Sequence, residues 1–143
     1  MSERPATIAL APNPWFGPWK NRQQLLSRLA QRGWPIVYST GPLSLWDRHQ
    51  SKWQQAKLLG DFVESDGLVV DLLGRWLFRW PNLPLWDQMA LRSSAKRLRG
   101  AMPGHSRRIA YLFHPSFLPL ADFLGADFVV YHAFDLYSAT IRA

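Results

Sequence analysis

The sequence contains no cysteine, no apolar run close to the ~18–20 residues that cross a bilayer, and only 10 acidic residues against 17 lysines and arginines. Without cysteine there is no disulfide framework and no thiolate metal site, which fits a reducing compartment. Without a long apolar run there is no candidate transmembrane helix. The opening Met1-Ser2-Glu3-Arg4-Pro5 has no signal-peptide layout, so the expected location is the cytoplasm, with peripheral contact to the inner face of a membrane left open. The shortage of acids leaves a net charge of +7 and a pI of about 10.4, with arginine supplying 13 of the 17 cations. Such a balance suits phosphates, acidic lipid headgroups or nucleic acid, and a merely solvated basic surface would look the same. Several motifs are missing as well. No G-x-G-x-x-G follows the first apolar run, and there is no P-loop and no G-x-S-x-G. No cofactor and no metal site is expected, since His132 and Asp135 have no third ligand at metal spacing.

What remains is a chain of 143 residues, 48% hydrophobic and 19% charged. That is the size and composition of one globular domain, here 1–143, able to bury a core without staples. Five short, near-continuous apolar runs occupy 7–11, 35–39, 67–72, 108–113 and 127–131. Runs of this kind belong to strands covered on both faces. Helical patterns fill the gaps, so the expected fold class is α/β: a Rossmann-like, doubly wound, mainly parallel sheet of about five strands with helices on both faces. The first helix begins at Asn21, with Gln24 spaced as in a capping box, and ends at Gly33. Further helical patterns cover 49–59, 85–99 and 116–124.

Open parallel sheets bind ligands at the carboxyl ends of their strands. The first strand is followed by Pro12-Asn13-Pro14-Trp15-Phe16-Gly17-Pro18-Trp19, a stiff aromatic loop leading to Asn21-Arg22. Amides at a helix start attract anions, and Arg22 adds a forked donor. The fourth strand is followed by His114-Pro115 and the fifth by His132, Ala133, Phe134 and Asp135. The spacing therefore predicts His114, His132 and Asp135 at one rim, with Asn13 and Arg22 across from them.

These same stretches carry a resemblance. Pro14-Trp15, Asn21-Arg22-Gln23-Gln24-Leu25 and Leu29-Ala30-Gln31-Arg32-Gly33-Trp34-Pro35-Ile36-Val37-Tyr38 resemble the opening of GT-B glycosyltransferases, nearest to bacterial enzymes that build surface polysaccharides. Tyr111-Leu112-Phe113-His114-Pro115 and Asp127-Phe128-Val129-Val130-Tyr131-His132-Ala133-Phe134-Asp135 are similar to that family's fourth and fifth strands, with His132 where aspartate is frequent. The resemblance implies an N-terminal, acceptor-binding domain that is inactive alone and lacks its C-terminal donor domain. The full enzyme would move a sugar from a nucleotide-sugar to a polysaccharide or lipid-linked acceptor. It also implies His114 and Asp135 as catalytic-side groups, His114 hydrogen-bonding a sugar and Asp135 orienting a hydroxyl, with Asn13, Trp15, Arg22 and His132 binding substrate.

A second feature stands apart from the strand ends. Gly74-Arg75-Trp76-Leu77-Phe78-Arg79-Trp80-Pro81 interleaves arginine with tryptophan, and no acid separates Arg92 from Arg108. Such residues suit an anionic membrane surface, although tryptophans in a core and arginines in solvent fit equally. No RRM, KH or zinc pattern supports nucleic acid. Two other readings stay open: a stand-alone Rossmann-like module binding a phosphorylated ligand or a membrane, and a non-catalytic subunit meeting a separate donor-domain chain.

Overall fold

In the computed structural model, residues 4–12, 15–16, 21–49, 51–54, 56–102 and 107–132 are described. The apolar runs form strands β1 (Ala6–Leu10), β2 (Ile36–Ser39), β4 (Leu68–Leu72), β5 (Arg108–Leu112) and β6 (Phe128–Tyr131). These five pair in parallel in the order β4-β2-β1-β5-β6. The order turns back beside β1: β2 and β4 lie on one side of it, β5 and β6 on the other. The fold is thus α/β with a mostly parallel sheet, consistent with a Rossmann-like arrangement.

Strand periodicity sorts β1 between two cores. Ile8 and Leu10 face α3 (Pro84–Gly100) and α4 (Leu118–Leu124), packing with Leu91, Leu98, Leu120 and Leu124. Ala9 and Ala11 face the other way, joining Leu26 of α1 (Asn21–Gln31), Trp15 and Tyr38. Helices therefore cover both faces at the centre of the sheet, whereas the edge strand β6, expected from its apolar run to be covered, keeps Phe128, Val129, Val130 and Tyr131 exposed. Gly33, at φ 91°, ends α1 as the sequence anticipates. Its N–H donates to Ala30 O (3.0 Å) and that of Trp34 to Leu29 O (3.1 Å), the two bonds of a Schellman cap. Pro84 opens α3 where its missing N–H costs nothing.

Two elements differ from the sequence expectation. The sheet has six strands, because β3 (Asp61–Ser65) pairs antiparallel with β4 at the outer edge. Asp66 (φ 53°) and Gly67 (φ 84°) make the two-residue turn between them. An Asp-Gly turn with both residues at positive φ matches the twist of a hairpin, and that signal is plain in the sequence. The helix expected over 49–59 shrinks to the single turn α2 (Ser51–Gln54). Its continuation, Lys57–Leu58, instead bonds the backbone of Arg75 and Trp76 (2.9 and 3.0 Å). The crossover from β2 thus lacks a full helix on the α1 side of the sheet.

Candidate functional site

That short crossover leaves a space. A cavity of about 410 Å³ lies at the carboxyl ends of β1, β2 and β4. Tyr38, Val63 and Val70 line it from the sheet, Trp15 from the loop after β1, and Thr40, Lys57 and Asp61 add polar groups. Trp15 is only 2% exposed. Its ring meets Tyr38 edge-on at 5.1 Å, and its Nε1 donates to Ser65 Oγ (3.3 Å). Burial raises the Tyr38 phenol far above its ordinary value, opposed by the nearby Arg22 cation. Tyr38 is therefore neutral across the physiological range and offers a hydrogen-bonding hydroxyl rather than a base.

Beside this cavity, where the strand order turns between β1 and β5, a second group assembles around Phe113. Arg22 is buried in the first turn of α1 and places its guanidinium 5.4 Å from the Phe113 ring centre. His132 approaches the same ring at 5.4 Å and stacks on Tyr111 at 5.8 Å. The Tyr111 hydroxyl and His132 Nδ1 are 2.7 Å apart, a hydrogen bond. Burial pushes the Tyr111 phenol up, which favours its neutral form at this bond. The backbone sets this up: His132 N–H donates to Leu112 O (2.8 Å), extending the β5–β6 ladder by one residue. Sequence reasoning named Arg22 and His132, and the fold brings them together across one aromatic ring. It missed Phe113, Tyr111 and Tyr38, whose apolar neighbours gave them the look of core.

His114 is not brought to this cluster. Phe113 belongs to the α1-side core, and His114, extended at φ −154° and ψ 140°, caps the 3-10 turn Pro115–Phe117. Ser116 N–H donates to its Nδ1 (3.1 Å), and Ser116 Oγ lies 2.8 Å from the same nitrogen. A backbone N–H only donates, so the neutral ring carries its proton on Nε2 and presents a donor to solvent. Replacing His114 by alanine removes the cap and is expected to cost about 0.5–2 kcal/mol. Asparagine should restore most of it, read from the urea midpoints of the three chains. Asn13 and Asp135 lie outside the described residues.

A third grouping was invisible in the sequence. Asp71, the one acid inside the apolar run of β4, is buried and also borders the cavity. Arg97 of α3 pairs with Asp71 Oδ1, and the Ser39 hydroxyl donates to Oδ2 (2.7 Å) while accepting from Gly41 N–H (3.0 Å). Burial raises the Asp71 carboxyl above its ordinary value, and Arg97 and then Ser39 oppose that shift. A lone acid in a buried strand was the available signal. Its partner 26 residues away was not legible.

No protein-family model matches this chain, and no curated protein matches it. The site has an aromatic-walled cavity with a polar rim and, beside it, a buried arginine, a histidine and a phenol. Among the described residues no group of three His, Asp or Glu could hold a metal ion.

Proposed function

We propose that this chain is the acceptor-binding N-terminal domain of a GT-B glycosyltransferase, working with a C-terminal domain that carries the nucleotide-sugar. The observation that supports this reading best is the cavity at the carboxyl edge, where the exposed Phe16 ring, Leu59 and Leu72 supply apolar surface over the buried Trp15 and Tyr38 rings, with polar groups from Thr40, Lys57 and Asp61. A sugar presents apolar C–H faces and a girdle of hydroxyls, and a mostly apolar pocket with a few placed polar groups suits both. In this reading the cavity orients a saccharide or lipid-linked acceptor. His132 and Arg22 lie near the reacting hydroxyl, and His114 donates from Nε2 to a sugar oxygen. Asp135 supplies the orienting carboxylate. Catalysis in such an enzyme rests on position and electrostatics, so an isolated acceptor half binds without turning over. The protein would act at the cytoplasmic side of a membrane. No helix among the described residues is long and apolar enough to cross one.

The buried Arg22 near a helix start also favours a second reading, a module for a phosphorylated ligand. Saturation-transfer NMR on the full chain separates the two. A glucose or galactose oligosaccharide should receive magnetisation while UDP-glucose does not, and the 31P line of inorganic phosphate should stay sharp in the presence of the protein. Replacing Thr40 by valine and Lys57 by methionine, both at the rim, should weaken the saccharide signal. Broadening of the phosphate 31P line or transfer to UDP-glucose, with none to the oligosaccharides, would sink the acceptor reading.

A further inference from the structure

Large apolar side chains are exposed together on one part of this protein. Trp76 is 65% exposed, Trp46 56%, Leu59 70% and Leu85 84%, with Leu58 and Met89 also exposed. They come from four chain segments joined by specific bonds. Trp76 N–H donates to Leu58 O (3.0 Å), and Leu45 N–H donates to Arg79 O (2.8 Å), which sets Trp46 beside the same strip. Trp86 Nε1 donates to Phe78 O (3.1 Å) and its ring packs on Phe78 at 5.3 Å. That contact fastens the strip 75–79 to the first turn of α3. Patches of this kind mark sites of interaction, since isolated proteins seldom leave so many large apolar groups adjacent in water.

The charges around the patch are mainly positive. Along the solvent side of α3, Leu85 and Met89 are followed by Arg92 and Lys96, at i, i+4, i+7 and i+11, all exposed. Arg48, Lys57 and Arg75 are exposed beside the tryptophans. Asp61 is the exposed acid beside Leu58–Leu59, and two other acids nearby are paired with arginines. Asp87 is gripped by the Arg79 fork at 3.0 and 2.8 Å, and Asp71 is paired with Arg97. Tryptophan and leucine at the tip with arginine and lysine alongside match the acyl boundary and the phosphates of an anionic leaflet.

We propose that the surface formed by Trp46, Leu58–Leu59, the turn Arg75–Leu77 and the first two turns of α3 docks on an anionic lipid surface. The apolar tips enter the headgroup layer, and Arg75, Arg92 and Lys96 bind lipid phosphates. Leu59 lines the 410 Å³ cavity as well, so docking brings the cavity rim to the membrane. The inference goes beyond the acceptor reading and stands without it.

The test is flotation of the full chain with vesicles of phosphatidylglycerol in phosphatidylcholine, against phosphatidylcholine alone. Binding is expected only to the anionic vesicles, weakening as salt screens the cations. Replacing Trp76 and Leu85 together by serine should reduce it about tenfold or more. Replacing Arg75 and Lys96 by glutamine should reduce it about fivefold per cation. Both variants alter exposed side chains, and unchanged urea midpoints will show that they fold. Equal binding to neutral vesicles, no binding, or binding indifferent to both variants overturns the proposal. So does self-association or RNA binding that the Trp76/Leu85 variant abolishes while vesicles are ignored, because the surface then belongs to a second copy or a nucleic acid.

Discussion

Replacement of Arg97 by alanine will destabilise this protein by about 3 kcal/mol at neutral pH, and by much less in acid. The guanidinium holds three elements at once. It pairs with Asp71 of β4, donates to the carbonyls of Asp61 (3.1 Å) and Leu72 (3.4 Å), and lies 4.2 Å over the Phe62 ring of β3. The Asp71 side chain is 0% exposed and that of Arg97 22%. Removing the cation strands a charge that water cannot reach, and this stranded charge is the main cost. The pH dependence follows from Asp71 itself. Burial raises its folded pKa above the unfolded value. Its stabilising contribution is therefore complete below the ordinary carboxylate pKa and is lost as pH rises through the raised value. The wild-type chain should lose stability across that window relative to Asp71→Asn, which cannot ionise. Without Arg97 the folded carboxyl rises further, so the penalty grows with pH. Urea midpoints of the three chains at acid and neutral pH, at unchanged m-value, decide it. An Arg97→Ala cost that is flat with pH, or no larger than that of Arg92→Ala at the surface, would remove Asp71 as the cause.

Replacement of Trp15 by alanine will cost about 3–5 kcal/mol, the second large effect. The ring is buried against Tyr38 in the α1-side core and at the same time walls the cavity. Phenylalanine keeps an aromatic wall and loses the Nε1 bond to Ser65, so Trp15→Phe should cost far less, about 1 kcal/mol for the bond plus a smaller void. The pair separates structure from binding. If the cavity holds a saccharide, Trp15→Phe will fold yet bind oligosaccharide several-fold more weakly. Retained binding at wild-type affinity would make Trp15 a core residue only and place the saccharide elsewhere.

Trp15 also shows how far sequence reading reached. A tryptophan in a proline-rich loop after the first strand pointed to the carboxyl edge, and there it lies. Whether such a ring faces a ligand or the core depends on what packs behind it, here Tyr38 and Ser65 from two other strands. Arg22 and His132 were likewise legible as strand-end and helix-start residues. Their meeting at Phe113 was not, since it needs β1, β5 and β6 aligned in register. His114, just beyond β5, caps the turn Pro115–Phe117, a role that depends on the local turn and not on the strand end.

The sequence by itself determined the class of this fold. Near-continuous apolar runs separated by helical patterns leave little alternative to a mostly parallel sheet between helices, covered at its centre though not at β6, and Gly33 ends α1 through a backbone angle that other residues resist. Local chemistry suffices for such features because each is decided within a few residues. The Asp66-Gly67 hairpin was legible locally, whereas tertiary structure alone decided the failure of the 49–59 helix and the Asp71–Arg97 pair. Each depends on partners distant in sequence: the backbone of 57–58 is bonded by 75–76 instead of closing a helix, and a buried carboxylate is tolerable only where a cation from another element reaches it. The cavity exists for the same reason, because the helix that would have filled it does not form.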